Sequence, residues 1–339
     1  MRDAAEGAPP PAPTHRPGDA GALRDLQRRI GPSARANEPL ARYASLRVGG
    51  PADLYLTARS TQQIVDAVEA AAALDVPWRI MGGASNLLIA DEGIAGLVIR
   101  TAANGVCEAT DEQGRVLIRA EAGRLLAGLG KQLALRGLRG LEWAANVPGT
   151  VGASVVNNSG AFGSCVAEHL ACASVYVLGQ GTVSFDAAGL GLAYRSSHLK
   201  RGNLIGAVLD ATFRVEVDEP SVLRARISEI QRLRRDSQPS GYSIGSVFAN
   251  PPGDAAGRLI ESAGLKGRAI GDAVVSQLHA NFIVNRGAAT SRDVLRLVAH
   301  VQTTVWRQTG IWLTPEVQLA GRFRPEELLA LAGPPGAAA

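Results

Sequence analysis

Three glycine-rich segments offer main-chain N–H groups with little side-chain bulk around them. The first, LRVGGPA, spans residues 46–52, and the second, MGGASNLL, spans 81–88. The third, VPGTVGAS at 147–154, continues as NSGAFG at 158–163. Glycine lets a phosphate approach the backbone closely, so such segments can hold a pyrophosphate. Any one of them alone is more typical of an ordinary turn, and none has the spacing of a Rossmann or P-loop site.

Short polar side chains at the tips of these segments can add hydrogen bonds to phosphate oxygens. Because three such segments occur in one half of the chain, they favour a long, doubly phosphorylated cofactor. We therefore expect cofactor contacts at Gly49, Gly50, Gly82, Gly83, Ala84, Ser85, Asn86, Pro148, Gly149, Thr150, Gly152, Ala153, Asn158 and Gly160.

Strand and helix patterns alternate around these segments. Residues 52–57 predict a strand, and Ser60 with Gln63 forms a capping box that predicts the helix after it. Residues 124–135 predict another helix, whereas the glycine-punctuated stretch 151–217 predicts mostly strands.

Helical patterns follow in the last third of the chain. Pro220 predicts the start of a helix. Its expected buried residues are Leu223, Ile227, Ile230 and Leu233. Thr290 or Ser291 predicts the start of the last long helix, and residues 313–319 predict a closing strand.

With 339 residues, the chain is long enough for two or three packed units. We expect a disordered Pro- and Ala-rich extension over 1–22 and a nucleotide-binding domain over 23–217, with its core at 47–217. A smaller domain is expected over 218–324, followed by a low-complexity tail over 325–339. The predicted fold class is α+β.

The composition argues against several classes of protein. The net charge is only +4, and the basic run Arg224–Arg235 lies in a helical pattern without interleaved aromatic residues, which favours a solvated face over nucleic acid. No apolar run is long enough to span a membrane, and no secretory signal is visible. The three cysteines show no CxxC spacing and join no metal-ligand pattern. We expect a cytoplasmic protein without metal; no oligomer is implied, and a monomer is compatible with the sequence.

Seven motifs together resemble, in order and approximate spacing, the UDP-N-acetylenolpyruvoylglucosamine reductase family of peptidoglycan synthesis. The resemblance covers about residues 40–321. The motifs are RVGGPADL from Arg47, GGASNLLIADEGIAGLVI from Gly82, LEWAANVPGTVGAS from Leu141, AYRSS from Ala193, GSVFANP from Gly245, LIESAGLKGRAIGDAVVSQLHANFIVN from Leu259 and GIWLTPEVQLAG from Gly310. The direct run from QPSGYS into GSVFANP is similar to the subgroup without an extra tyrosine-bearing loop.

The resemblance implies an FAD-binding domain of the vanillyl-alcohol-oxidase type, with two subdomains, and a C-terminal substrate domain. It also implies non-covalent FAD, NADPH as hydride donor and UDP-N-acetylglucosamine enolpyruvate as substrate. In the implied reaction NADPH reduces the flavin and leaves, and the flavin then gives a hydride to the enolpyruvyl methylene carbon. The charge that develops next to the carboxylate needs a fixed cation, and the neighbouring carbon needs a proton donor.

The family's catalytic positions match Arg195, Ser246 and Glu316. The resemblance implies that Arg195 holds the carboxylate, Ser246 donates the proton and Glu316 completes the polar site. Tyr194, Asn250 and Lys266 are the implied substrate contacts. Outside this context an arginine beside a tyrosine is more often a packing residue, a serine after glycine a turn residue and a lone glutamate a surface acid.

The chain departs from the family pattern at several positions. Alanine stands at residue 84 where the family has a third glycine, and Asn146 also replaces a glycine. Ala153-Ser154 stands for Gly-Ala, Ala249 for a lysine, and Gln277 for a basic residue. These changes put details of flavin and substrate binding in question but leave the three catalytic positions intact.

Two alternatives stay open at this point. One is another FAD oxidase of the same fold, although such enzymes often attach FAD through a His or Cys and the glycine segments contain no histidine. The other is a non-catalytic UDP-sugar- or flavin-binding descendant, which the substitutions in the glycine segments favour.

Overall fold

The computed structural model describes residues 19–329, 331 and 333, so most of the predicted extension 1–22 lies outside the described residues. The described helices are α1 (Ala20–Ile30), α2 (Thr61–Ala73), α3 (Leu126–Leu135), α4 (Val151–Val156), α5 (Val166–His169), α6 (His198–Arg201), α7 (Pro220–Ser237), α8 (Ala256–Ser262), α9 (Ser291–Thr309) and α10 (Pro325–Leu329). A short 3-10 helix covers Glu142–Ala144.

The strands are short and are distributed along the whole described chain. In order they are β1 (Ala34–Pro39), β2 (Pro51–Ala58), β3 (Trp78–Met81), β4 (Leu87–Ile89), β5 (Ile94–Thr101), β6 (Val106–Thr110), β7 (Val116–Glu121), β8 (Leu138–Arg139), β9 (Gly160–Ala161), β10 (Ser164–Cys165), β11 (Leu170–Val177), β12 (Gly181–Phe185), β13 (Gly206–Arg214), β14 (Glu216–Val217), β15 (Tyr242–Ser246), β16 (Ala269–Ile270), β17 (Ala273–Val275), β18 (Phe282–Asn285) and β19 (Gln318–Ala320).

The first compact unit comprises residues 19–30, 58–82 and 101–223. Its antiparallel sheet has the strand order β12-β11-β13-β7-β6. Helices α3 and α4 share a hydrophobic core with this sheet, in which Leu129, Leu133, Val151, Val155 and Phe213 are all fully buried. The burial of such apolar side chains is the main stabilising contribution to the unit.

The second compact unit comprises residues 31–57, 83–100 and the chain from Arg224 onward. Its antiparallel sheet has the order β15-β18-β17-β16, and β19 pairs in parallel with β4. Helix α9 supplies a buried face to the core of this unit. The buried valines of that face are Val294, Val298, Val301 and Val305.

Local sequence signals explain the two best-defined helix starts. The Ser60 side chain accepts a hydrogen bond from the Gln63 N–H at 3.2 Å and caps α2. The second bond of the predicted capping box differs, because Gln63 Oε1 accepts the Arg59 N–H at 2.7 Å and not that of Ser60. Thr290 and Asp293 form a reciprocal capping box at α9, and Gly310, with φ 71°, ends that helix in the left-handed conformation. The predicted start and buried face of α9 are confirmed.

Several predictions of secondary structure were wrong. Residues 151–156 form a helix rather than a strand, because Val151 and Val155, one turn apart, are both buried in the core. Leu233 was expected in the buried face of α7 but is 38% exposed. The closing strand, predicted over 313–319, is only β19.

The compact units differ from the predicted contiguous domains, since residues 31–57 and 83–100 group with the chain after Arg224. The tail predicted over 325–339 begins with helix α10, and residues 330, 332 and 334–339 lie outside the described residues. None of the helices in the described residues has the length and apolar character needed to cross a membrane.

Candidate active site

Gly82 and Thr150 come into close contact at the centre of the second and third glycine segments. A Cβ at Gly82 would lie 2.4 Å from Thr150 Oγ1 and 3.0 Å from Ala153 Cβ. The Thr150 hydroxyl is buried and has no hydrogen-bond partner in the part of the chain that the structure describes. A buried hydroxyl without a partner is costly, so a ligand oxygen or nitrogen at this position would be stabilising.

The third glycine segment is fixed by main-chain hydrogen bonds to the chain just before α3. Gly152 N–H donates to Ala122 O at 2.9 Å, and a Cβ at Gly152 would lie 2.8 Å from Ala122 Cβ. Gly149 has φ 116°, a conformation that favours glycine, and Pro148 beside it is exposed. The segment therefore needs small residues, as the sequence predicts.

The first glycine segment packs against the chain that follows β4. A Cβ at Gly49 would lie 2.5 Å from Ile89 Cβ, and one at Gly50 would lie 2.0 Å from Asp91 O. Gly50 N–H donates to Ala90 O at 2.8 Å. Close packing of two main-chain segments explains these two glycines without reference to a ligand.

The second glycine segment continues from Gly83 into a strained position. Ala84 has φ 46°, in the left-handed region that favours glycine, which explains why the resembling family has glycine there. Ser85 follows and is partly buried. Asn86 Nδ2 then donates to the carbonyl oxygen of Glu316 at 3.1 Å, which links this segment to a predicted catalytic residue.

Arg195 lies in a turn that is attached to the end of the third glycine segment. Asn158 Nδ2 donates to Ala193 O at 3.0 Å, and Arg195 Nη2 donates to Gly160 O at 3.1 Å. Arg195 itself has φ 53°, and its guanidinium carbon lies 5.7 Å from the ring centroid of Tyr194, which is 67% exposed. A non-glycine residue held in this conformation stores backbone strain, as residues at functional sites often do.

Ser246 and Glu316 lie on two segments that are hydrogen-bonded to each other. Ser246 ends β15 and is paired with Phe282 of β18. The next residue, Val247, accepts the Glu316 N–H at 2.8 Å, and Phe248 forms a bridge with Pro315. The structure thus brings together two residues that the sequence separates widely.

The predicted substrate contacts have different surroundings. Asn250 is exposed, and its Oδ1 accepts the Ala256 N–H at 3.1 Å, so it caps the first turn of α8. Lys266 Nζ forms an ion pair with Glu261 at 2.6 Å. Lys266 is thus engaged in a local pair, and binding to a phosphate would require it to exchange that partner.

The structure shows the contacts of three residues that depart from the family pattern. The Ala153 methyl fits because residue 82 has no Cβ. Gln277 Nε2 lies 2.2 Å from where a Cβ at Gly267 would be, so it packs over the turn after Lys266. Ala249 N–H donates to Thr314 O at 2.9 Å, a bond that any residue except proline could make.

The residues of the first unit fit an FAD pyrophosphate. The Thr150 hydroxyl, which has no partner in the described residues, lies where Gly82 and Ala153 keep side-chain bulk to a minimum, so a phosphate oxygen that approached here could accept its hydrogen bond. A flavin needs no metal ligands, and the described residues contain no group of three or more His, Cys, Asp or Glu side chains that could hold a metal ion.

Sequence reasoning missed Leu125. It forms an antiparallel bridge with Thr150, so the two side chains point to the same face, and Leu125 is 59% exposed. An exposed leucine beside the unpartnered hydroxyl is a candidate apolar contact for the cofactor. Its only sequence signal is a leucine at the N-cap of α3, where no side chain caps the helix.

Two family profiles match the chain. An FAD binding domain matches residues 52–184, and the C-terminal domain of UDP-N-acetylenolpyruvoylglucosamine reductase matches residues 238–320. The predicted α+β class, with an FAD-binding fold and a separate C-terminal domain, is confirmed by these matches.

Full-length relatives agree with the profiles. The UDP-N-acetylenolpyruvoylglucosamine reductases of Chloroflexus aggregans and Rubrobacter xylanophilus are 42% and 43% identical, over 84% and 86% of this chain and 97% of each relative. The crystal structure of the Thermus caldophilus reductase (MurB) is 34% identical, has a TM-score of 0.70 and covers 85% of this chain and 98% of its own. The chain therefore belongs to the UDP-N-acetylenolpyruvoylglucosamine reductase family.

Proposed function

We propose that this protein reduces the enolpyruvyl group of UDP-N-acetylglucosamine enolpyruvate to the lactyl group of UDP-N-acetylmuramate, with FAD as cofactor and NADPH as electron donor. The observation that carries the proposal is identity above 40% to reductases of that name along nearly their whole length. The intact Arg195, Ser246 and Glu316 support it and argue against a non-catalytic descendant.

We assign the FAD contacts to the three glycine segments. Gly82, Gly83, Ala84, Ser85 and Asn86 belong to the second, and Thr150 supplies the unpartnered hydroxyl of the third. These segments would hold the flavin, which would supply hydride transfer between NADPH and the methylene carbon of the enolpyruvyl group.

Arg195 binds the substrate carboxylate in this proposal. Reduction of the double bond places negative charge on the carbon next to that carboxylate, and a guanidinium can bind both carboxylate oxygens. The bonds of the Arg195 turn to Asn158 and Gly160 hold the guanidinium in place before the substrate arrives. A cation fixed in advance stabilises the developing charge without a cost of reorganisation.

Ser246 donates the proton that completes the reduction. A serine hydroxyl is a weak acid, but the carbon that it protonates is strongly basic, so the transfer is chemically coherent. Glu316 lies on the segment bonded to Val247 and orients the polar groups around the hydroxyl. Tyr194, Asn250 and Lys266 are assigned to the rest of the nucleotide sugar.

We place the reaction in the cytoplasm. The three cysteines are free thiols, which is typical of a reducing compartment.

The test is an anaerobic titration of the purified, FAD-loaded protein. The yellow flavin should bleach with NADPH and recover its colour on addition of UDP-N-acetylglucosamine enolpyruvate, with one UDP-N-acetylmuramate formed per flavin. Recovery in air that is equally fast without the sugar would instead indicate an oxidase. A protein that stays colourless with added FAD would indicate a descendant that does not bind the cofactor.

A further inference from the structure

Asn281 holds the chain immediately after Ser246 through both ends of its side-chain amide. It is 4% exposed, and its Oδ1 accepts the Phe248 N–H at 2.9 Å while its Nδ2 donates to Phe248 O at 2.8 Å. Its main-chain oxygen also accepts the Val247 N–H at 2.9 Å. Three hydrogen bonds thus fix two consecutive residues that follow the predicted proton donor.

These bonds follow a strand pairing that is irregular just before Ser246. The pairing of β15 with β18 shifts register between Ser243 and Ser246, and Gly245 within this interval has φ 76°. A register shift of this kind redirects the side chain that follows it. Ser246 therefore lies between an irregular stretch on one side and the Asn281 bonds on the other.

The same short segment also holds Glu316. Val247 O accepts the Glu316 N–H at 2.8 Å and the Val317 N–H at 3.4 Å, while Ala249 N–H donates to Thr314 O at 2.9 Å. A shift of the segment would therefore move Ser246 and Glu316 together.

The Asn281 carboxamide satisfies both partners at once because it carries an acceptor and a donor. Phe248 N–H needs an acceptor and Phe248 O needs a donor, and both bonds are buried. An alanine would leave two buried main-chain groups without partners. An ionised carboxylate would keep the first bond but would place an acceptor against the Phe248 carbonyl oxygen.

We propose that Asn281 is a positioning residue for proton transfer, whose amide fixes the Val247–Phe248 segment and thereby the direction of the Ser246 hydroxyl and the place of Glu316. The inference rests on the proposed function, because it assumes that Ser246 donates the proton to the reduced substrate. In this proposal Asn281 acts through Ser246 and does not itself contact the substrate or the flavin.

The experiment separates the two half-reactions by stopped-flow absorbance of the flavin. In Asn281→Asp at neutral pH, reduction by NADPH should stay within about twofold of the unmodified protein. Reoxidation by UDP-N-acetylglucosamine enolpyruvate should slow by about 10²-fold, the scale expected when a reacting group is displaced by about 1 Å. Val298→Ala, which removes buried methyl groups from α9 in the same unit, controls for a general loss of stability.

Acidification provides a second readout. A buried carboxyl has a raised pKa, and once protonated it can again donate to Phe248 O, so Asn281→Asp should regain reoxidation rate as the pH falls. The neighbouring titratable group is His279, whose Nδ1 accepts the Asn281 N–H at 3.2 Å and which has Lys266 and Glu261 nearby. Asn281→Ala retains all three groups and should show no such recovery.

A double-variant cycle decides between positioning and a purely structural role. If Asn281 acts through Ser246, adding Asn281→Asp to Ser246→Ala should slow reoxidation by less than about twofold more. Additive losses, an equal slowing of both half-reactions or no recovery in acid would overturn the proposal. If Asn281→Ala fails to fold, Asn281→Asp still supplies the acid recovery and the cycle. Failure of the proposed function is seen separately, as an unmodified protein whose reduced flavin the sugar does not reoxidise.

Discussion

The main-chain N–H of Glu316 donates to the carbonyl oxygen of Val247 at 2.8 Å, so the residue after Ser246 is bonded directly to the other predicted catalytic residue of its unit. Asn86 extends this arrangement, since its side chain donates to Glu316 O and its main-chain oxygen accepts the Gln318 N–H. A segment predicted to contact the cofactor and two predicted catalytic positions therefore share one hydrogen-bonded framework.

Replacing Ser246 should separate the two halves of the reaction. Ser246→Ala removes the proposed proton donor, and we expect flavin reduction by NADPH to persist while steady-state kcat falls by about 10²- to 10⁴-fold. Anaerobic stopped-flow measurements with NADPH alone and then with the sugar check both effects. Ser243→Ala, on the same strand before the register shift, is the matched control. Full activity in Ser246→Ala would remove the serine from the mechanism.

The hydroxyl of Thr150 should matter for flavin binding and not for folding. Thr150→Val keeps the shape and removes a buried group that has no partner in the described residues, so the apoprotein should be as stable or more stable in urea. FAD affinity should fall by about tenfold, the worth of one net hydrogen bond. Fluorescence titration of the apoprotein with FAD measures this change in affinity. Unchanged affinity would show that the hydroxyl does not contact the cofactor.

Adding a methyl group at Gly82 should displace the Thr150 hydroxyl and thereby weaken flavin binding. The new Cβ would lie 2.4 Å from Thr150 Oγ1, so we expect Gly82→Ala to purify with markedly less bound FAD, measured from the absorbance near 450 nm. Gly128→Ala is the matched control, because a Cβ there meets only Leu125 Cβ at 3.8 Å and alanine favours the helix. Equal flavin content in the two variants would contradict this prediction.

Binding of the substrate carboxylate should require the planar guanidinium of Arg195. Arg195→Lys keeps the positive charge but loses the planar pair of donors, so kcat/KM for the sugar should fall by about 10-fold or more. Flavin reduction by NADPH is the internal reference and should change less. A lysine variant with normal kcat/KM would show that charge alone is sufficient.

Acid should weaken the attachment of the C-terminal helix α10. The Arg292 side chain donates to Glu327 at 2.8 Å, and this hydrogen bond lowers the pKa of the Glu327 carboxyl. Because the Glu327 pKa is lower in the folded than in the unfolded protein, the ion pair adds to the free energy of unfolding at pH values above the unfolded-state pKa. This contribution is lost as the pH falls through the folded-state pKa of Glu327. Glu327→Gln should therefore lower the urea midpoint at pH 7 and have little effect near pH 3. The same difference at both pH values would exclude the ion pair as its cause.

Much of the local structure could be predicted from neighbouring residues. The capping residues Ser60 and Thr290, the proline that opens α7 and the valine face of α9 are signals within a few positions of one another. Residues 151–156 were misjudged because β-branched residues favour strands, whereas burial of Val151 and Val155 in the core selects a helix.

The sequence by itself determined the family, through the order of seven motifs, and with it the residues that the chemistry needs. It also determined where glycine occurs, but not what surrounds each glycine: Gly49 and Gly50 pack against residues 89–91, whereas Gly82 packs against the Thr150 hydroxyl. Only the tertiary structure decided that Asn86 bonds to Glu316, 230 residues away, and that Asn281 clamps Phe248, 33 residues away. Such pairs leave no local periodicity, because they form only when burial in a common core brings distant strands together.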